Sequence, residues 1–290
     1  MSRVSRGTVV RRPGRGGAAL SLALVATMVG PGPVWAAELT PAKRAERALG
    51  RAQYATHCIG CHGPEGDGQG AAAAMLLVKP RDFTRGIFKF RSTPNGTLPT
   101  DADLMRTLVL GVSGTAMPGF PLVGERERLG LIETIKDFYP EWQTQGAGVP
   151  IVIPPVPSWL GSPAAVARGR SLYLDLDCGR CHGDGGRGDG PSARTLEPDV
   201  WGNPQKPFNF TKGSLRGGDS PEAVYRTFMT GINGTAMPSY ADVFDNPDGE
   251  YIHRDDAWNL VSYILSLRRK SGPIRVASNR VGEPNEEARP

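Results

Sequence analysis

Cys58-Ile59-Gly60-Cys61-His62 and Cys178-Gly179-Arg180-Cys181-His182 lie 120 positions apart. In each half a methionine follows 55 positions after the histidine, within Gly114-Thr115-Ala116-Met117-Pro118 and Gly234-Thr235-Ala236-Met237-Pro238. Two thiols three positions apart on one helical turn can each add to a vinyl group of one haem, and the adjacent imidazole is then held beneath the iron. A thioredoxin-like thiol pair does not need the histidine, and a zinc site would have to unite two distant halves. The chain has four cysteines, all in these motifs. The sequence therefore commits Cys58, Cys61, Cys178 and Cys181 to two covalently attached haem c groups, with His62 and His182 as axial ligands of the irons.

Working outward, the two halves repeat one plan. Each opens with a hydroxyl N-cap followed by proline, Thr40-Pro41 and Ser162-Pro163, which predicts a helix start. Gly50/Tyr54 and Gly169/Tyr173 then share a helical face just before the motif. Glycine-rich loops follow it, Gly66-Asp67-Gly68 and Gly188-Asp189-Gly190, and then Pro80-Arg81-Asp82-Phe83-Thr84 against Pro207-Phe208-Asn209-Phe210-Thr211. The glycine loops lack the strand-to-helix context of a phosphate cradle and read as turns. Further helices are predicted over 101–110 and 221–230, the second capped by Ser220, with Gly111 and Gly231 at their ends. Closing helices are predicted over 125–138 and 255–267, and no alternating strand pattern interrupts the series. The fold class is mainly α, two small helical domains each wrapped around one haem.

The repeat also selects the sulfur. A shift of 120 puts Met117 on Met237, whereas Met105 falls on Tyr225 and Met229 on Val109. A thioether is a fitting sixth ligand for haem iron, so Met117 and Met237 are the predicted distal ligands, with Pro118 and Pro238 stiffening the loop behind them. Met105 and Met229 read as apolar packing. His57 and His253 have no repeated partner and read as surface or loop side chains.

Residues 1–36 carry Arg3, Arg6, Arg11, Arg12 and Arg15, an apolar run over 18–29 and a final Val34-Trp35-Ala36, the pattern of a cleaved signal peptide. A twelve-residue apolar run is too short to span a bilayer unaided, so no transmembrane span is expected in the mature chain. The expected localisation is periplasmic. The whole sequence has 34 basic and 29 acidic residues, and losing the five leader arginines leaves none in excess. Nucleic-acid binding has no electrostatic support. The expected organisation is a leader over 1–36, domains over 37–145 and 162–270, a proline-rich connector over 146–161, and a polar tail over 271–290. Arg268-Arg269-Lys270 reads as a cationic helix end.

At these motifs the chain resembles the class I cytochromes c in a tandem dihaem arrangement, over nearly all the mature sequence outside connector and tail. The resemblance implies that each Gly/aromatic helix crosses the closing helix of its half, with an aromatic covering the contact. Trp258, Leu260, Tyr263 and Ile264 match that element in the second half. In the first half Thr134 stands where Tyr263 does, which implies a crossing that is looser or filled by Phe138 or Tyr139. The resemblance also implies a proline carbonyl accepting the proximal histidine Nδ1–H. Pro80 is the candidate for His62 and Pro207 for His182, with Pro198 a rival. Trp201 and Phe208 either shield the second haem or close the core.

Histidine and methionine on both irons leave no open position for a substrate. The expected function is single-electron transfer between periplasmic or membrane-bound redox proteins, an electron donor and an acceptor, by a carrier and not an enzyme. A subunit of a larger oxidoreductase complex is the second reading, and a dihaem enzyme such as a peroxidase a third.

Overall fold

The computed structural model describes residues 40–246 and 251–269. The leader over 1–36 and the tail over 271–290 lie outside the described residues. In the first half α1 (Pro41–His57) is followed by α2 (Ile59–His62), α3 (Asp101–Leu110), α4 (Glu125–Asp137) and the short α5 (Trp142–Gln145). The second half runs α6 (Pro163–Asp175), α7 (Cys178–His182), α8 (Pro221–Thr230), the short α9 (Ala241–Phe244) and α10 (Asp256–Arg269). Among the described residues no strand forms, and one isolated bridge joins Leu98 to Ala147.

The local signals act as read. Thr40 accepts the Lys43 N–H and Ser162 the Ala165 N–H at the proline-led starts of α1 and α6, and Ser220 accepts from Ala223 at α8. Thr100 and Asp103 add a reciprocal capping box at α3. The turns after α3 and α8 need positive φ, which Gly111 and Gly231 supply at +68° and +67°. They also permit close approach, because a Cβ at either would lie 2.5 or 2.7 Å from the carbonyl carbon of Pro118 or Pro238.

The crossing of the first and last helices closes each half. A Cβ on Gly50 would fall 1.9 Å from the carbonyl oxygen of Gly130, and one on Gly169 would fall 1.9 Å from that of Asn259. Glycine is what lets the backbones of α1 and α4, and of α6 and α10, come this close. Of the two arrangements expected from Thr134, the first-half crossing is the filled one and not the looser one. Gly130 adds a second glycine to the contact, and Phe138 supplies the missing aromatic, its ring 5.1 Å from Tyr54. In the second half Tyr263 plays that part, also 5.1 Å from Tyr173. Thr134 turns its hydroxyl inward onto the Gly130 carbonyl.

Two apolar cores result. Leu104, Leu108, Leu131, Ile132 and Trp142 centre the first. Tyr225, Phe228, Met229, Trp258 and Val261 centre the second, so Met229 is packing, and Met105 lies against the first core. The connector is extended and held at both sides. Gly148 and Ile151 donate to the Leu98 and Ser92 carbonyls, while Ile151 and Ile153 pack on the second core.

Candidate haem sites and the cavity they share

In both halves a buried tyrosine ties α1 or α6 to the motif helix. Tyr54 donates to the Gly63 carbonyl at 2.8 Å and Tyr173 to that of Gly183 at 2.7 Å. Their hydroxyls, like those of most buried phenols, have a pKa pushed up by desolvation. The glycine loops then fold back under the motif: Gly68 and Gly188 donate to the carbonyls of His62 and His182, and Gly70 and Gly190 to those of Cys61 and Cys181. These loops are turns at positive φ, as read from the sequence.

Each imidazole is fixed from two sides. His62 stacks on Phe83 with centroids 4.5 Å apart, and His182 on Phe210 at 4.4 Å. The Nδ1 atoms lie 2.9 Å from the Arg81 carbonyl and 3.0 Å from that of Phe208. A carbonyl can only accept, so each Nδ1 carries the proton and each Nε2 keeps its lone pair. Burial also lowers the pKa of both histidines, which favours the neutral, ligating form.

Pro80 and Pro207 are not the acceptors, and neither is Pro198. The next residue supplies the carbonyl in both halves. Successive carbonyls of an extended segment face opposite sides, and those of Pro80 and Pro207 point at Gly68 and Gly188, where a Cβ would meet them at 3.0 and 2.5 Å. Proline thus holds the segment extended, and Arg81 and Phe208 present the oxygen.

The methionine loops are near copies. Val112 donates to the Met117 carbonyl at 3.0 Å and Ile232 to that of Met237 at 3.1 Å. Thr115 and Thr235 lock the turn, each hydroxyl donating to the carbonyl of Val112 or Ile232 and accepting the N–H of Met117 or Met237. The role of these threonines was not read from the sequence, although their place in the repeat was the available signal.

All these groups meet in one place. A continuous cavity of about 430 Å3 is lined by Cys58, Cys61, His62 and Met117 and also by Cys178, Cys181, His182 and Met237. The four thiols are unpaired, and burial pushes Cys58 and Cys178 up to about 11. Pro80, Pro207 and Phe208 also line it, and His57 stands exposed at its rim. His253 is exposed on a loop, and Met75 is exposed as well. Paired thiols, a neutral imidazole with Nε2 available and a thioether on one apolar chamber are the donor set that a covalently bound haem requires, and the residues fit that group twice.

Elements of both halves frame the chamber. Lys89 forms an ion pair with Asp199 at 3.0 Å, the Arg91 guanidinium donates to the Thr230 carbonyl at 2.9 Å, and Arg81 stacks on Trp201.

The cytochrome c family model matches residues 47–133 and 166–268. Among solved structures, a chain of the Kuenenia stuttgartiensis reducing HAO-like protein complex is similar, at 37% identity and a TM-score of 0.70. The match covers 79% of this chain and 97% of that one. No curated protein matches.

Proposed function

Because the chain belongs to the cytochrome c family, we propose that it is a dihaem electron-transfer protein. In this reading it passes single electrons between redox partners through two haems, one ligated by His62 and Met117 and the other by His182 and Met237. The observation that carries it is the single cavity reached by both sets of cysteine, histidine and methionine. Haems held by both sets would share one chamber, and electrons would pass between them within the chain.

Haem supplies the one-electron exchange, and the protein supplies attachment, orientation and a dry surround. The thiols of Cys58, Cys61, Cys178 and Cys181 anchor the groups. Arg81 and Phe208 hold the histidine tautomer and make each imidazole a stronger donor to iron. The thioethers of Met117 and Met237 would hold the irons and would favour the ferrous state, which supports a carrier over a peroxidase. The leader over 1–36 supports export and work in the periplasm. Among the described residues no helix is long and apolar enough to cross a membrane.

A second reading makes the chain the electron-transfer subunit of a larger oxidoreductase complex. It is favoured by the similarity to a chain of the Kuenenia complex over nearly all of that chain's length.

Intact-mass measurement and haem staining after denaturing electrophoresis test the proposal. Two covalent haems per chain are expected, and one or none would overturn the dihaem reading. Peroxide turnover at rates typical of dedicated peroxidases would overturn the carrier reading.

A further inference from the structure

The two methionine loops share sequence and hydrogen bonds but differ in what stands behind them. Gly114, at the head of the first, has φ +69° and nothing within 4 Å of where a Cβ would lie. Gly234, at the head of the second, has φ +77°, and a Cβ there would lie 2.6 Å from the Trp201 ring. Val200 also donates to the Gly234 carbonyl at 3.0 Å. Trp201 therefore buttresses the loop of Met237, and among the described residues no such buttress backs Gly114.

The same indole is also covered from the first half. The Arg81 guanidinium lies 3.9 Å from the ring centroid, with Lys89 at 5.1 Å and Arg85 at 5.9 Å. Asp199 fixes the assembly, accepting the Trp201 main-chain N–H at 3.1 Å and the Lys89 ammonium at 3.0 Å. Arg85 donates to the Val200 carbonyl. Arg81 is also the residue whose carbonyl accepts the His62 Nδ1–H. One residue thus holds the proximal histidine of the first site with its main chain and presses on the buttress of the second with its side chain. Its counterpart in the second half is Phe208, which carries no cation.

We propose that Arg81 and Trp201 are positioning residues that couple the two haem sites, the first half holding the methionine loop of the second through the guanidinium–indole stack. The proposal rests on the ligand reading given above for His62 and Met237. It predicts a one-way dependence. Removing the Arg81 cation loosens the Met237 loop across the interface and leaves the Met117 loop of its own half unchanged.

The test uses the full-length protein with its haems attached, as wild type, Arg81→Met, Trp201→Leu and the double variant. Arg81→Met keeps the main-chain carbonyl and the length of the stem. Amide hydrogen exchange is read at Val200 and Ile232 in the second half, and at Val112, the first-half equivalent of Ile232. A cation–indole contact withdrawn from water is worth roughly a factor of ten in an equilibrium. Exchange at Val200 and Ile232 should accelerate by about that factor in Arg81→Met, with Val112 unchanged. The double variant should exchange no faster than Trp201→Leu alone, because the two residues act through one contact. Unchanged exchange at Val200 and Ile232, equal acceleration at Val112, or additive effects in the double variant would each overturn the coupling. The ligand reading fails separately: a Met237→Ala protein that keeps both ferric-methionine absorptions removes Met237 from the iron and leaves the exchange result to decide the coupling.

Discussion

Gly169→Ala is the perturbation most directly computed from the structure. The new Cβ would sit 1.9 Å from the Asn259 carbonyl oxygen, 2.6 Å from its carbon and 2.9 Å from the Tyr263 Cβ. The first two are backbone atoms of α10, so no rotamer change relieves the clash, and reaching even 3.0 Å requires the helices to part by about 1 Å. Overpacking of this kind costs roughly 1–3 kcal/mol. The same displacement stretches a hydrogen bond that spans the crossing, Tyr263 of α10 to the Asp184 carbonyl at 3.0 Å, worth about 1 kcal/mol. The better helix propensity of alanine returns up to about 1 kcal/mol. The net loss is about 1–3 kcal/mol, on the order of 5–15 °C in the melting of a domain of this size. Because Asp184 follows the C-cap of α7, the loss should reach the attachment helix and weaken the ferric-methionine absorption of one haem before global unfolding. Gly60→Ala is the internal control. Nothing lies within 4 Å of a Cβ there, so the same substitution in α2 should be neutral or stabilising by up to about 1 kcal/mol. Melting followed by circular dichroism on both haem-loaded variants decides the matter. A Gly169→Ala protein melting within about 2 °C of wild type would refute the close-crossing argument.

Replacing Met117 or Met237 with alanine should remove the ferric-methionine absorption of one haem each, and Met229→Leu, a change within the second core, should leave both. A second-half band that survives Met237→Ala would strike that residue from the ligand set. Asp103 gives a pH test. Burial pushes its carboxyl up, but donation from Ser92, Arg106 and Thr100 outweighs that and holds it below the usual carboxylate range. A depressed folded pKa stabilises above the ordinary value near 3.8 and is lost as pH falls through the lower folded one. Asp103→Asn should therefore cost roughly 2–3 kcal/mol at neutral pH, with the gap to wild type closing as pH drops below about 4 in acid-unfolding curves. A gap that stays constant down to strong acid would show that the charge is not what holds the loop over 91–100.

The parts legible in the sequence are those whose chemistry needs contiguous or strictly repeated residue types. Thioether attachment demands two cysteines and a histidine on one helical turn, and the hydroxyl-proline starts of α1, α6 and α8 act through their own neighbours. The histidine's second partner was not legible in the same way. Any residue has a carbonyl, so which one meets Nδ1 depends on how the strand-like segment after Gly68 is turned, and the structure moves it one place beyond the proline, to Arg81 and Phe208. Gly130 escaped notice because its counterpart is Asn259: the two crossings use the backbone of the closing helix, and a backbone contact constrains the facing residue less than a side-chain contact does.

Met117 and Met237 stand out as candidates because they belong to what the halves share. A contact that joins unlike surfaces of the two halves breaks that symmetry, because it uses different residues on each. Arg81 against Trp201, Lys89 against Asp199 and Arg91 against the Thr230 carbonyl each join a cationic residue of the first half to a different kind of group in the second. Arg81 itself stands opposite Phe208 in the alignment at the histidine's carbonyl, so the divergence falls on a residue whose main-chain duty is unchanged. A tandem protein can therefore keep two equivalent attachment sites and still make them unequal, by altering side chains whose backbone is already committed. On that argument the difference between the haems should follow the interface and not the ligands: exchanging the two Gly-Thr-Ala-Met-Pro segments, identical in sequence, changes nothing, whereas altering Arg81 or Trp201 should move one site relative to the other.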